Sequence, residues 1–406
     1  MGRLVLAVRL HANELLCDLV DGVEPAVGQL PEQFQLLPRS SFVDGVLHER
    51  GALVRETDSL QQHLQLGDGR KLHERFDASF ARWANRYFGR MELGFALSSE
   101  DHPPSELVRQ AQIAEEAGFT FALISDHFHP WVSEQGESPF VWSTLGGIAQ
   151  ATERIRVGTG VTCPLIRIHP AIVAQAAATV ACMMPGRFFL GVGSGENLNE
   201  HVTGARWPLP WERLEMLEEA VNVIRQLWTG EEITHRGEHY TVQGARLYTV
   251  PEQQPEIYLA AAKPQAARLA GRIGDGLIST APDEEVVDEF EGAGGSGRPK
   301  LGMIHVAYDE DEEGGHERAH KLWPNLALAG SGGQELPAPR DFEEAAGNVT
   351  VADVADSTPA GPDPEPYLDL IRKYEDAGFT HVYIHQIGDN QQDFAEFARR
   401  ELMDRL

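Results

Sequence analysis

Residues 115–128 read EEAGFTFALISDHF, and residues 375–388 read EDAGFTHVYIHQIG. Both segments begin with the last residues of a helix pattern and continue with a glycine, the residue that most often terminates a helix. A run of apolar and aromatic residues follows, as expected for a strand buried on both faces of a parallel sheet. The chain therefore repeats one helix–glycine–strand unit at two distant places, which indicates a closed barrel of such units.

Eight strand patterns of this kind alternate with amphipathic helix patterns along residues 91–406. The helix SELVRQAQIAEEAG is an example, with Ser105 as the predicted N-cap and Gly118 as the stop. The sequence thus predicts an α/β protein with a (β/α)8 TIM barrel, and a doubly wound open sheet is the alternative. The predicted strands begin at Met91, Phe119, Arg154, Arg187, Glu256, Gly276, Lys300 and His381.

Two insertions and an N-terminal segment depart from the repeat. Residues 233–250 alternate on both sides of Gln243-Gly244, which predicts a β-hairpin. Residues 328–366 are rich in Gly, Pro and Ala and are expected to form a lid over the barrel mouth. Residues 1–90 show no alternation, so they are either an accessory, disordered extension or sequence upstream of a true start at Met91. The second interpretation is favoured, because Met91 begins the first strand.

The composition limits the possible partners and location. Sixty-two acidic against 34 basic residues give a formal charge of -28, which argues against nucleic acid or an anionic membrane as a partner. The three cysteines, Cys17, Cys163 and Cys182, have no zinc-site or disulfide spacing, and no metal site is expected. Apolar runs are too short for a signal peptide or a membrane helix, so a soluble, cytoplasmic protein is predicted.

The strongest candidate site follows the second strand, in SDHFHPW. Barrel enzymes place their chemistry at the C-terminal ends of the strands, where Asp126, His127 and Trp131 would lie. Histidine can accept a proton near neutral pH, an adjacent carboxylate can bind a cofactor or fix the histidine tautomer, and tryptophan supplies an aromatic wall. The alternative is a polar loop with a helix-capping Asp126 and a packed Trp131.

The fourth strand runs into GVGSGENLNE, residues 191–200. Its glycine spacing differs from the dinucleotide pattern, and Glu196 would repel a pyrophosphate. Its glycines, Gly195 among them, instead let the backbone approach a flat ring, with Glu196 and Asn199 on one side of a helical turn. The alternative is a tight turn with a capping asparagine.

The third and fifth strands end in further candidates. In GTGVTCP, Gly160 and Val161 suggest a bulge or a close approach to a ligand, whereas Cys163 is expected to be a packed residue rather than a nucleophile. Lys263, after Ala262, precedes a helix that could hold an anionic tail, or it is a solvated lysine. His305 and His385 are predicted to have structural roles.

These motifs, together with ERLEMLEEAVNVIRQLWTGE, AAAKP and AGRIGDG, resemble the deazaflavin (F420)-dependent oxidoreductases of the luciferase-like monooxygenase superfamily, especially the group related to glucose-6-phosphate dehydrogenase. The resemblance implies a barrel that binds coenzyme F420, usually as a homodimer, with a cis peptide at Gly160-Val161. Cys163 stands where the family has threonine. The implied coenzyme-binding residues are Asp126, Gly160, Val161, Cys163, Gly195, Glu196, Asn199, Ala262 and Lys263.

The resemblance also implies catalytic roles. A hydride would pass between a small alcohol or carbonyl substrate and the deazaflavin. His127 would take the alcohol proton, Glu196 would exchange a proton with the reduced ring, and Trp131 would shape the substrate side. The alternatives are an FMN-dependent monooxygenase on the same fold and a non-catalytic coenzyme-binding barrel.

The expected substrate is uncharged. The related group places a lysine after the sixth strand, but here the segment reads STAPDEEVVDEF, and the predicted lid offers Arg340 without lysine or histidine. A sugar phosphate requires fixed cations. We therefore expect an alcohol or carbonyl compound rather than glucose 6-phosphate.

Overall fold

The computed structural model of the chain describes residues 91–328 and 331–406. The two interpretations of residues 1–90 lie outside the described residues. Within the described part of the chain, no helix combines the length and apolar character needed to cross a membrane.

Eight parallel strands form a closed barrel, in the order β1-β10-β9-β8-β7-β4-β3-β2. The barrel closes because β1 pairs with both β2 and β10, so the predicted (β/α)8 fold is confirmed and the open-sheet alternative is wrong. All eight predicted strands are present. The strands are β1 Glu92–Leu97, β2 Phe121–Ile124, β3 Arg156–Thr159, β4 Phe188–Val192, β5 Ile233–Arg236, β6 Thr241–Ala245, β7 Ile257–Ala260, β8 Gly276–Ser279, β9 Lys300–Val306 and β10 His381–Gln386.

Helices connect the strands and cover the barrel. Gly118 (φ 101°) and Gly378 (φ 92°) both have the left-handed conformation that ends a helix in the two repeated units. The α-helices are α1 Pro104–Ala117, α2 Val141–Ala151, α3 Pro170–Met183, α4 Asn197–Glu200, α5 Pro210–Leu227, α6 Pro264–Ile273, α7 Glu284–Phe290, α8 Glu312–Leu322, α9 Pro339–Ala345, α10 Val351–Ala355, α11 Glu365–Asp376 and α12 Gln391–Phe397.

The start of α1 differs from the prediction. Pro103 is the N-cap and Pro104 begins the helix, whereas Ser105 lies within the first turn. Proline is favoured there because its fixed φ suits a helix and its missing N–H would have no partner in the first turn.

The interior of the barrel is filled by side chains rather than open. A small cluster of apolar and aromatic residues points inward from the strands and packs together. A larger core lies between the sheet and the helices, so the strands are buried on both faces. The inward cluster consists of Ala96, Phe121, Leu123, Phe189, Tyr258, Ile278, Leu301 and Tyr383.

A carboxylate at the end of α1 supports the chain before β3. Glu115 accepts hydrogen bonds from the backbone N–H groups of Glu153, Arg154 and Ile155. Burial alone would raise the pKa of Glu115, but these donors outweigh burial and hold the pKa below its ordinary value. The charged form of Glu115 therefore stabilises the fold.

The predicted hairpin exists, but its turn lies elsewhere. β5 and β6 are antiparallel and are joined by residues 237–240, while Gln243-Gly244 lies inside β6, where Gly244 has φ 53°. Glu219 on α5 accepts hydrogen bonds from the backbone N–H groups of Glu238, His239 and Tyr240. This contact from the preceding helix holds the turn at that position.

The described parts of insertion 328–366 contain a short 3₁₀-helix, Ser331–Glu335, followed by α9 and α10. Phe342 on α9 is buried and lies edge-to-face against Trp131, with 5.2 Å between the ring centroids. Glu343 accepts a hydrogen bond from the backbone N–H of Ser133 at 2.8 Å. The insertion thus packs on the loop after β2, and its action as a lid stays a prediction.

Candidate functional site

The polar residues of the barrel mouth follow the C-terminal ends of β1 to β4, the edge where barrel enzymes carry their active sites. Four consecutive segments contribute them: residues 98–101, 125–131, 160–167 and 193–200. Asp126, His127 and Trp131 lie in the second segment, as expected from the strand positions.

Asp126 is buried and accepts two hydrogen bonds through its carboxylate. Oδ2 accepts from Thr162 Oγ1 and Oδ1 accepts from Arg167 Nη2, each at 2.8 Å. Burial works against the charge of Arg167, but its attraction to Asp126 and Glu200 outweighs burial and raises the guanidinium pKa. Asp126 therefore neither caps a helix nor bonds to His127, since its partners come from the segment after β3.

Glu200 extends this buried network from the end of α4. It accepts hydrogen bonds from the backbone N–H groups of Arg167 at 2.8 Å and Ile166 at 3.3 Å. Burial raises its pKa above the ordinary value. Burial, together with Glu200, also raises the pKa of Cys163 well above its ordinary value, so that the thiol stays neutral. Cys163 is a packed residue, as predicted.

His127 lies between a carboxylate and an aromatic ring. Its Nδ1 is 3.1 Å from the carbonyl oxygen of His129, and its Nε2 is 3.4 Å from Glu100 Oε1. The centroid of its ring is 4.9 Å from that of Trp131. Because both nitrogens face oxygen atoms, Nδ1 donates to the carbonyl and Nε2 is positioned to carry a proton stabilised by Glu100.

Glu100 is itself held in place by two serines. Its Oε2 accepts hydrogen bonds from Ser125 Oγ at 2.6 Å and from Ser98 Oγ at 3.0 Å. The residue is only 2% exposed, so its charge acts in an environment with little water. Glu100 thus connects the ends of β1 and β2 beneath His127.

Asn199 joins the loops after β2 and β4. Its Oδ1 accepts hydrogen bonds from the backbone N–H groups of Phe128 at 2.8 Å and His129 at 3.2 Å. Its Nδ2 is buried without a hydrogen-bond partner among the described residues. Asn199 does not cap α4, because the N-cap is Glu196, whose half-buried side chain makes no capping bond. A buried donor therefore remains for a ligand.

The glycines of these loops permit close backbone packing. The peptide bond between Gly160 and Val161 is cis, at the position that the resemblance implies. A Cβ at Gly193 would lie 2.7 Å from Val161 Cγ2, and Gly195 has φ 71°, which favours glycine. Side chains are thus kept out of the space between the ends of β3 and β4.

Ala262 and Lys263 are exposed on the rim after β7. Lys263 is the N-cap of α6, whose first helical residue is Pro264. Its ammonium group makes no ion pair among the described residues, so both Lys263 and the helix N-terminus are available to an anion.

His305 and His385 face each other on β9 and β10. Their Nδ1 atoms are 2.9 Å apart, and His385 Nε2 lies 3.3 Å from Asp101 Oδ2. His385 is satisfied at both nitrogens, in agreement with the predicted structural role. His305 is satisfied only at Nδ1 within the described part of the chain.

The sequence motifs did not indicate Glu100, Arg167 or Glu200 as site residues. A signal for Glu100 was available, since SSEDH directly follows the first predicted strand at the catalytic edge of the barrel. Arg167 and Glu200 carry no such local signal, because each acquires its partners from another strand end.

The sequence pattern of the family described as "Luciferase-like monooxygenase" matches residues 88–381. The chain belongs to this family. The fold and the family inferred from the motifs are therefore confirmed.

The chain is also similar to curated proteins and to a solved structure. The F420-dependent glucose-6-phosphate dehydrogenase of Nocardia farcinica is 39% identical over 332 residues, which cover 78% of this chain and 98% of the relative. The enzyme of the same name from Rhodococcus erythropolis is 38% identical over 330 residues, covering 78% and 98%. An F420-dependent secondary alcohol dehydrogenase, solved with an F420-acetone adduct, is 28% identical with a TM-score of 0.71, covering 77% of this chain and 98% of that one.

Proposed function

We propose that this chain transfers a hydride between coenzyme F420 and a small, uncharged alcohol or carbonyl compound. As an F420-dependent oxidoreductase, it would use the deazaflavin, when bound, as the hydride acceptor or donor. The observation that carries the proposal is the position of His127, with Nε2 3.4 Å from Glu100 and its ring beside Trp131 at the barrel mouth.

The coenzyme would be held by the segments that follow β2, β3, β4 and β7, which are consecutive in the barrel. The unpartnered Asn199 Nδ2 offers a hydrogen bond, and Lys263 with the N-terminus of α6 offers a site for an anionic tail. Both features fit coenzyme F420. The residues proposed to hold it are Asp126, Gly160, Val161, Cys163, Gly195, Glu196, Asn199, Ala262 and Lys263.

His127 is the proposed proton acceptor and donor. In alcohol oxidation, the hydroxyl proton moves to His127 Nε2, and the Glu100 carboxylate stabilises the imidazolium that results. In carbonyl reduction, the same nitrogen returns the proton to the oxygen. Glu196, half-buried at the start of α4, would exchange a proton with the reduced coenzyme, and Trp131 would form the wall against which the substrate rests.

The charges around the mouth favour an uncharged substrate. A phosphate dianion needs unpaired cations to replace its hydration. Four cations on this side of the barrel instead pair with carboxylates: Arg167 with Asp126, Arg318 with Asp309, Lys321 with Glu134 and Arg340 with Asp341. Lys263, unpaired among the described residues, is assigned to the anionic tail of the coenzyme. After β8, Asp283 accepts hydrogen bonds from the first turn of α7, so a carboxylate already occupies that helix N-terminus.

Anaerobic assays with F420 would test the substrate class. We expect turnover of 2-propanol or 2-butanol, and a kcat/KM for glucose 6-phosphate at least about tenfold lower, since each unmatched charge costs more than about 1.4 kcal/mol. A higher kcat/KM on glucose 6-phosphate would overturn the substrate assignment. Titrations with F420, FMN and FAD test the coenzyme, since preferential binding of FMN would favour the monooxygenase alternative. F420 binding without any turnover would favour a non-catalytic barrel.

Homodimer formation and a cytoplasmic location stay predictions. Light scattering of the purified chain tests the first, and a mass of about twice the 44.8 kDa of one chain is expected.

A further inference from the structure

The barrel mouth is divided into two halves by the strand order. The proposed coenzyme residues follow β2, β3, β4 and β7, which adjoin one another. The strands β2, β1, β10 and β9 are also consecutive and form the other side of the mouth. A substrate placed between His127 and the coenzyme therefore faces the ends of β1, β10 and β9.

A continuous chain of polar side chains lines this second side. Glu100, beside His127, is 3.0 Å from Ser98 Oγ, and Ser98 Oγ is 3.1 Å from Asp101 Oδ2. Asp101 lies 3.3 Å from His385 Nε2, and His385 lies 2.9 Å from His305. We call this set, from Glu100 to His305, the polar belt. It links the proposed proton acceptor to a histidine three strands away.

The direction of the hydrogen bonds in the polar belt follows from Asp101. Its carboxylate also accepts from Trp323 Nε1 at 2.8 Å, so it acts as an acceptor toward His385 as well. His385 Nε2 therefore donates to Asp101, and the lone pair on its Nδ1 accepts from His305 Nδ1. This arrangement leaves Nε2 of neutral His305 with a lone pair.

That lone pair is positioned to accept a hydrogen bond from a ligand. Met303 and Leu301, two and four residues earlier on β9, point into the barrel, so His305 points to the same side at the open end of the strand. The residue is partly exposed, and its Nε2 has no hydrogen-bond partner among the described residues. Burial, together with His385, lowers the pKa of His305 well below its ordinary value, so the ring stays neutral and accepting near pH 7.

We propose that His305 Nε2 accepts a hydrogen bond from a second hydroxyl group of the substrate, so that the preferred substrates are secondary alcohols with an additional hydroxyl. This inference rests on the proposed function and names a substrate class within it. Neutral His305 would bind a hydroxyl and would not supply a positive charge for a phosphate, in agreement with the paired cations of the mouth.

The test compares 2-pentanol with 2,3-pentanediol, 2,4-pentanediol and 1,4-pentanediol, using the full chain and F420 under anaerobic conditions. The three diols differ in the distance between their hydroxyls. We expect at least one diol to have a kcat/KM about 3- to 10-fold higher than that of 2-pentanol, mainly through a lower KM. This factor corresponds to the free energy of one net hydrogen bond. His305→Leu should bring this ratio to about one, and His305→Gln, which keeps an acceptor oxygen, should retain part of it.

Met303→Leu is the matched control, because Met303 lies on the same face of the same strand and offers no strong acceptor. It should keep the ratio of the wild type. Titration with F420 and melting temperatures establish that each variant is folded. If the wild type oxidises 2-pentanol but prefers no diol, or if His305→Leu leaves the ratio unchanged, the inference is wrong and the proposed function stands. If the wild type oxidises none of the four alcohols, both are wrong.

Discussion

Glu100→Gln should reduce turnover far more than it reduces coenzyme binding. Glu100 Oε1 lies 3.4 Å from His127 Nε2 and is buried, and the proposed reaction places a positive charge on that imidazole. Glutamine preserves the shape of the side chain but removes the negative charge. The substitution therefore removes an ionic attraction that exists only when His127 is protonated, which is the state the reaction must reach.

The size of the effect follows from this distance. Opposite unit charges 3.4 Å apart attract by about 5 kcal/mol at an effective dielectric constant of about 20. The amide of glutamine and the hydroxyls of Ser98 and Ser125 recover part of this energy. We expect a net loss of about 1.4 to 3 kcal/mol, which corresponds to a decrease in kcat of about 10- to 150-fold.

The assay is steady-state oxidation of 2-butanol with F420, together with a fluorescence titration of the coenzyme. Glu134→Gln is the control, because Glu134 is an exposed carboxylate in the loop after β2. Glu100→Asp should recover part of the lost activity, since it restores the charge. A Glu100→Gln enzyme with the kcat of the wild type would refute the role of Glu100, and an equal loss in the control would refute its specificity.

Three further outcomes are expected. Removal of residues 1–90 should leave a folded chain that binds F420, because the barrel and all proposed site residues lie beyond them; loss of soluble protein would contradict this. Glu115→Gln should lower the stability at pH 7 by about 1 kcal/mol, whereas the exposed Glu116→Gln should not. Because the pKa of Glu115 is lowered in the folded state, the difference in stability between the wild type and Glu115→Gln is present above pH 4.5. It shrinks as the pH falls through the folded pKa, as thermal melts at several pH values would show. Gly193→Ala should weaken F420 binding in a titration, whereas Gly292→Ala, which has open space around it, should not.

The strands and helices were predictable from the sequence because their signals are local. Apolar runs mark the eight barrel strands, and Gly118 and Gly378 mark the ends of α1 and α11 wherever these units lie in space. The hairpin turn was misplaced for the opposite reason. Its position depends on Glu219, a residue of another element, and the alternation of β5 and β6 alone does not show that contact.

The sequence alone also determined which residues stand at the catalytic edge, because a barrel places every strand end on one rim. His127 and Trp131 were found in this way. Only the tertiary structure decided how they are paired: Asp126 with Arg167 instead of His127, His127 with Glu100, and the polar belt across β1, β10 and β9. Hydrogen bonds and ion pairs act over a few ångströms, and closing the barrel brings Asp101 and His385 together although they are 284 positions apart in the chain.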